Sequence, residues 1–127
     1  MQIHESAENY LETILMLSER LPRVRSIDIV NELDYSKPSI SVAMKNLREN
    51  GYINMDSEGS ITLTSSGRGI AERIYERHRF FSDLLIRMGV DPDVATEDAC
   101  RIEHDLSPES FRAFQDIAKR LEENHLL

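Results

Sequence analysis

The stretch "KPSISVAMKNLRENGYINMDSEGSITLT", residues 37–64, combines a helical pattern with two short β-like runs. Pro38 suits the first turn of a helix, and Asn50-Gly51 predicts where that helix ends. Apolar side chains recur along it at helical spacing, which predicts one buried face: Ile40, Ala43, Met44 and Leu47. The runs "YINMD" and "SITLT", joined by "SEG", then predict a β-hairpin.

Two helices are predicted before this stretch. Residues 5–20 repeat apolar side chains at helical spacing, and Leu21-Pro22 closes that helix. Ser26 is predicted to cap a second, shorter helix that contains "IDIVNELD". Three helices followed by a hairpin are the element order of a winged helix-turn-helix, in which the third helix enters the major groove of DNA.

Three more helices are predicted after the hairpin. The first starts at Ser65 or Ser66 and runs to about Met88. The second starts at Asp91-Pro92 and carries "VATEDACRIEHDL", and the third starts at Ser107-Pro108. The predicted fold class is therefore mainly α. We place a winged helix-turn-helix domain in residues 1–64 and a helical domain in residues 65–127.

The composition is typical of a soluble folded protein, with 40% hydrophobic and 30% charged residues among 127. No apolar run approaches the roughly 18 residues that cross a bilayer. The start "MQIHESAENY" lacks the basic and apolar regions of a signal peptide. A single cysteine cannot form an internal disulfide, which fits a reducing compartment. We therefore expect a cytoplasmic protein without a membrane partner.

The net charge of −8 does not exclude DNA, because the charge is unevenly distributed. Residues 20–54 hold six basic and four acidic side chains, whereas residues 89–127 hold four basic and ten acidic ones. On the winged-helix interpretation, the side chains near base edges are Lys37, Ser39 and Ser41. Lys45, Arg48 and the wing would lie near phosphates. The alternative is that these are ordinary solvated positions.

Cys100, Glu103 and His104 share one face if their segment is helical, because positions i, i+3 and i+4 align. The trio is compatible with a metal site, a Cys–His nucleophile or chance. A nucleophile would need an oxyanion-stabilising loop, and no glycine-rich turn lies beside Cys100. Further donors favour a metal site shared by three helices: Asn9 and Glu12 on the first helix, and His78 on the long one. Alone, His78 would be a structural histidine.

The segments "AENYLETI", "ERHRFF" and "CRIEHDLS" resemble the diphtheria-toxin-repressor and manganese-transport-regulator family over essentially the whole chain. The resemblance implies a metal-activated repressor of metal-uptake genes. It also implies a homodimer that binds double-stranded operator DNA through the winged helix, with metal-binding and dimerisation helices in residues 65–127. The SH3-like third domain of some members is not expected here.

The resemblance also implies a ligand set. Glu12, His78, Glu103 and His104 match metal-binding positions of the manganese branch. Cys100 stands where that branch has glutamate and the iron branch has cysteine, and Asn9 departs from both. A thiolate shifts the preference from manganese towards iron, so we expect Fe²⁺ to be favoured over Mn²⁺.

The dimer interface is predicted to use apolar side chains of the last two helices: Ile102, Leu106, Phe111 and Phe114. The alternative is that they pack inside the monomer. Two other functions stay open. One is a metal-independent or thiol-redox-sensing regulator, and the other is a small metalloenzyme using Cys100 or Glu103. The helices and wing offer no evident substrate pocket, so we expect no enzyme and no small-molecule substrate.

Overall fold

A computed structural model describes residues 5–127; residues 1–4, which begin the segment excluded as a signal peptide, lie outside this range. The elements are α1 (Glu5–Arg20), α2 (Ser26–Leu33), α3 (Lys37–Glu49), β1 (Ile53–Met55), β2 (Ile61–Leu63), α4 (Ser65–Arg87), α5 (Pro92–Ile102) and α6 (Pro108–Glu123). The predicted mainly α fold is confirmed. The chain divides into two compact units, and the division falls within α4, between Arg73 and Ile74.

In the first unit, α3 begins and ends as its sequence indicates. The Ser36 hydroxyl accepts the Ser39 N–H at 3.3 Å, and Pro38 occupies the first turn. Gly51 follows the helix with a φ of 79°, a conformation that glycine adopts without steric cost. The buried face of α3 comprises Ile40, Met44 and Leu47, and it joins core residues of α1 and α2: Leu11, Ile14 and Ile29.

The start of α2 differs from the prediction. Ser26 is the first residue of the helix, and the preceding Arg25 occupies the cap position. The Asp28 carboxylate accepts the Arg25 N–H at 2.8 Å. Asp28 thus supplies the backward half of a capping box. Its own N–H, which a cap hydroxyl could otherwise accept, bonds the Arg25 carbonyl at 3.0 Å.

The hairpin pairs β1 and β2 antiparallel, with Ile53 opposite Leu63. Asp56 closes its turn by accepting the N–H groups of Glu58 and Ser60, each at 2.9 Å. The bond from Ser60 is the main reason that the pKa of Asp56 lies below its usual 3.8. The Ile61 N–H donates to the Val24 carbonyl at 2.7 Å, which ties the loop between α1 and α2 to the hairpin.

The second unit is built on helices with strong local start signals. Asp91 caps α5 by accepting the Asp93 N–H at 3.0 Å, and Ser107 caps α6 by accepting the Ser110 N–H at 3.1 Å. The core contains Phe81, Ala99 and Phe111, against which three partly buried side chains pack: Phe80, Ile102 and Leu106.

The four residues predicted for the dimer interface therefore have different environments. Phe111 is buried in the core of the second unit, and Ile102 and Leu106 pack partly against that core, as the monomer alternative described. Phe114 keeps 46% of its surface exposed. Across residues 5–127, no helix combines the length and the apolar character that spanning a membrane requires.

Candidate metal centre and DNA-binding surface

The segment around Cys100 is helical for a shorter distance than predicted. α5 ends at Ile102, so Cys100 lies in its last turn, while Glu103 and His104 lie in the turn that follows. The Glu103 N–H still bonds the Ala99 carbonyl at 3.0 Å, but the Asp105 N–H bonds Ile102 across a tighter turn. Glu103 and His104 therefore lie beyond the last residue of α5, in the segment that precedes α6 at Pro108.

The turn nevertheless brings three donors together. One ligand atom each from His78, Cys100 and Glu103 lies within 4.8 Å of the other two. Donors bound about 2.0–2.3 Å from one ion can be at most about 4.6 Å apart. Around a tetrahedral ion such donors lie roughly 3.3–3.8 Å apart, so side-chain movements of up to about 1 Å would fit this group to one cation. Imidazole, thiolate and carboxylate are together suited to a divalent transition metal.

Glu103 is the centre of this group. Its side chain is 0% exposed, and its Oε2 lies 2.8 Å from His78 Nδ1. Its Oε1 lies 3.3 Å from Nε2 of His104, whose side chain is also buried. Removing a carboxylate from water costs several kcal/mol unless positive charge or hydrogen bonds compensate. Both oxygens therefore face groups that can be donors, cations or co-ligands of a metal.

Accessibility differs among the donors. Glu103 and His104 are buried, His78 retains 14% of its side-chain exposure, and Cys100 is exposed. The site is therefore open to solvent at its thiol and closed at its carboxylate.

The two candidate ligands on α1 lie in the first unit. Asn9 is partly buried, and Glu12, three residues on, is buried. Their neighbour Glu8 is engaged elsewhere, because its carboxylate receives the Arg73 guanidinium at 3.0 Å. Glu8 is therefore held in an ion pair within the first unit.

The residues predicted to contact DNA all lie exposed on α3: Lys37, Ser39, Ser41, Lys45 and Arg48. Ser39 also belongs to the cap, since its hydroxyl accepts a hydrogen bond from Ser36 at 2.7 Å. Lys45 and Glu49 form only a loose, exposed ion pair at 4.0 Å, which leaves Lys45 available to another anion.

Sequence reasoning missed Val42 on this surface. Its side chain is 60% exposed among polar neighbours on α3. An isolated exposed valine is common on protein surfaces. On a helix that reads DNA, however, an apolar side chain can contact the methyl group of thymine. The signal was in the sequence, because Val42 lies outside the apolar stripe of α3.

The wing is less basic than its predicted role requires. Residues 52–64 contain no lysine or arginine, and Asp56 and Glu58 lie at the turn. Glu58 pairs with Arg23 at 3.1 Å. Contact between the wing and phosphate stays a prediction, and it would depend on hydroxyls, backbone amides and the nearby arginine.

Known proteins match both parts of the chain. The family profile "iron dependent repressor, N-terminal DNA binding domain" matches residues 2–60. The profile "iron dependent repressor, metal binding and dimerisation domain" matches residues 64–125. The transcriptional regulator MntR of Escherichia coli O6:H1 is 32% identical over 111 residues, which cover 87% of this chain and 72% of that protein.

A second curated relative and a solved structure agree. The HTH-type transcriptional regulator MntR of Bacillus subtilis (strain 168) is 31% identical over 119 residues, which cover 94% of this chain and 84% of that protein. A manganese-dependent transcriptional repressor, solved in complex with manganese, superimposes with a TM-score of 0.77 at 27% identity. The match covers 91% of this chain and 52%, about half, of that one. The chain therefore belongs to the iron-dependent repressor family of metal-dependent transcriptional regulators, as the resemblance indicated.

Proposed function

We propose that this protein represses metal-uptake genes by binding operator DNA as a homodimer when a divalent transition metal is bound. The observation that carries the proposal is the buried Glu103 carboxylate, which faces His78 and His104. The Cys100 sulfur lies within 4.8 Å of a ligand atom of Glu103 and of His78. Such a donor set is suited to a cation and serves little purpose in a purely structural core.

The proposed ligands are Asn9, Glu12, His78, Cys100, Glu103 and His104. The first two rest on the family resemblance and the others also on the geometry of the second unit. When bound, the metal supplies positive charge that offsets the carboxylates and the thiolate and fixes their helices in one arrangement. A metal that favours the DNA-binding state 100-fold would contribute about 2.7 kcal/mol to operator affinity by linkage.

The choice between iron and manganese rests on chemistry alone. The thiol of Cys100 favours Fe²⁺ over Mn²⁺, because sulfur is a softer ligand than oxygen. The comparisons do not support this preference, since the similar solved structure is named as manganese-dependent. Anaerobic titrations of the protein with each ion, with operator affinity as the readout, would decide between them.

DNA would be bound by two copies of α3, one per subunit, about 34 Å apart in successive major grooves. Lys37, Ser39 and Ser41 would contact base edges, and Lys45 and Arg48 would contact phosphates. Because its ligand is chromosomal DNA, we place the protein in the cytoplasm. No enzymatic reaction is proposed, since the similar proteins are transcriptional regulators.

The test compares His104→Ala with His125→Asn, a change at an exposed histidine outside the site that suits its left-handed φ of 58°. DNA selected from a random duplex pool with Mn²⁺-loaded protein serves as the operator, and fluorescence anisotropy gives the affinity. We expect Fe²⁺ or Mn²⁺ to strengthen binding about 100-fold in the wild type and in His125→Asn. His104→Ala should lose this stimulation while remaining a folded dimer. An equal metal response in both variants would refute the proposal.

The exposure of Cys100 favours one alternative, a regulator that senses oxidants through its thiol. That function predicts operator binding that is unchanged by a chelator and altered by peroxide. A Cys100→Ser variant that keeps its metal response but loses its peroxide response would establish it.

A further inference from the structure

Arg77 is the buried charged side chain on α4 immediately before His78. Only 4% of its surface is exposed. Arginine is almost never buried unless its charge and its donors are satisfied. Arg77 contacts Glu103, Leu106 and Phe111, all within the second unit.

The guanidinium holds the turn that carries two proposed metal ligands. Its Nη1 donates to the main-chain carbonyl of Glu103 at 3.2 Å and to that of Leu106 at 2.5 Å. The Leu106 carbonyl lies in the segment between α5 and α6. The Glu103 carbonyl belongs to the C-cap of α5, where the last carbonyls of a helix lack intrahelical partners. A cation is also favoured there by the helix dipole.

Two consecutive residues of α4 thus act on Glu103 in different ways. Arg77 holds the backbone of Glu103, and His78 contacts its carboxylate at 2.8 Å. The two carbonyls held by Arg77 bracket the segment 103–106, so they restrict the backbone from which His104 also projects. The aromatic ring of Phe111 lies 5.3 Å from the guanidinium carbon and limits its position from α6.

We propose that Arg77 is a positioning residue for the metal centre, which orients Glu103 and His104 by hydrogen bonding to the turn that bears them. This inference rests on the proposed function, because it presupposes that these side chains bind metal. Groups that orient metal ligands typically change metal affinity by about 10- to 100-fold when they are replaced.

Arg77→Lys is the informative variant. Lysine keeps the positive charge, but its ammonium lacks the fixed N–H directions with which one guanidinium nitrogen holds both carbonyls. It also lacks the flat face that lies against Phe111. Arg112→Lys on α6 is the matched control, since Arg112 is exposed in the same unit. Ala118→Gly is a second control, because Ala118 is buried on α6 and its loss weakens the second unit while leaving the contacts of Arg77 with Glu103, Leu106 and Phe111 in place.

Co²⁺ is the probe, since its absorption reports both binding and coordination, including a charge-transfer band from any bound thiolate. We expect Arg77→Lys to weaken Co²⁺ binding about 10- to 100-fold and to alter the absorption of the bound ion. Arg112→Lys and Ala118→Gly should bind Co²⁺ within about threefold of the wild type. Circular dichroism would confirm that each variant is folded.

The outcomes separate the two proposals. If the wild type binds no Co²⁺, Mn²⁺ or Fe²⁺, the proposed function fails and this inference falls with it. If the wild type binds metal and Arg77→Lys binds it equally with an unchanged spectrum, only the inference is overturned. Should Arg77→Lys not fold, Arg77→Gln takes its place. Loss of folding in both would overturn the inference, because Arg77 would then serve stability rather than ligand orientation.

Discussion

Gly67 in the first turn of α4 provides a direct test of how the wing is fixed. A Cβ at this position would lie 3.0 Å from the carbonyl carbon and 3.3 Å from the Cα of Tyr52, and would overlap the carbonyl oxygen outright. The obstacle is backbone and cannot rotate away. The same carbonyl accepts the Thr64 N–H at 3.1 Å, so moving Tyr52 also disturbs the start of α4.

The expected size of the effect for Gly67→Ala follows from these contacts. Overpacking costs about 1–3 kcal/mol, and loss of the Thr64 hydrogen bond costs about 1 kcal/mol more. The gain in helix propensity offsets at most about 1 kcal/mol. Gly67→Ala should therefore lower the free energy of unfolding by about 2–3 kcal/mol.

Gly69→Ala is the matched control on the same helix. Nothing lies within 4 Å of a Cβ at Gly69, so alanine should stabilise the protein by about 0.5–1 kcal/mol. The difference of about 3 kcal/mol between the two variants corresponds to about 12 °C in Tm. Thermal unfolding followed by circular dichroism measures it. Equal melting temperatures would show that Tyr52 yields easily and that the wing is not fixed in this way.

Three further predictions concern the first unit. Lys45→Ala should make the slope of log affinity against log salt shallower by about 1.8, because each lost phosphate contact counts for about 0.9 and a dimer loses two. The control Lys119→Ala, on α6, should keep the slope of the wild type. Val42 should contact a thymine methyl, so replacing one operator thymine by uracil should cost about 0.8 kcal/mol, about fourfold in affinity, for the wild type and nothing for Val42→Ala. If no thymine-to-uracil change in the operator lowers the affinity of the wild type more than that of Val42→Ala, Val42 does not contact a base. Because the pKa of Asp56 is lowered in the folded protein, its ionised carboxylate stabilises the wing fully above pH 3.8. This stabilisation is lost as the pH falls through the pKa of the folded state, which lies below 3.8. In an NMR titration the Glu58 and Ser60 amides should shift together with the Asp56 carboxyl at a pH below 3.8, and a midpoint at or above 3.8 would contradict the hydrogen-bonded turn.

Much of the fold was predictable because its start signals are local. Ser36 with Pro38, Asp91 with Pro92 and Ser107 with Pro108 each combine a side-chain cap with a residue that suits the first helical turn. Such signals depend only on neighbouring residues, so the sequence shows them directly. The α2 cap was mispredicted because Arg25, one residue before Ser26, takes the cap position, where the Asp28 carboxylate accepts its N–H.

The sequence predicted a set of candidate metal ligands, and the structure brings three of them together: His78, Cys100 and Glu103. Cys100, Glu103 and His104 fit helical spacing, but the helix ends between the first and the second of them. The end of α5 is stabilised by contacts from a distant part of the chain, above all by Arg77. A charged residue beside a histidine gives no sign in the sequence that it is buried, which is why Arg77 was noticed only in three dimensions.

The solvent-facing thiol of Cys100 has a kinetic consequence under the proposed function. A regulator is useful only if its ion departs when the surrounding supply falls, and an ion enclosed on every side would leave slowly. Among the proposed ligands of the second unit, Cys100 is the one that is exposed, so it would be the ligand with which water competes most readily for the ion. The rate of metal exchange, and with it the delay before the genes respond to a shortage of metal, would then depend on the exposed Cys100 rather than on the buried Glu103.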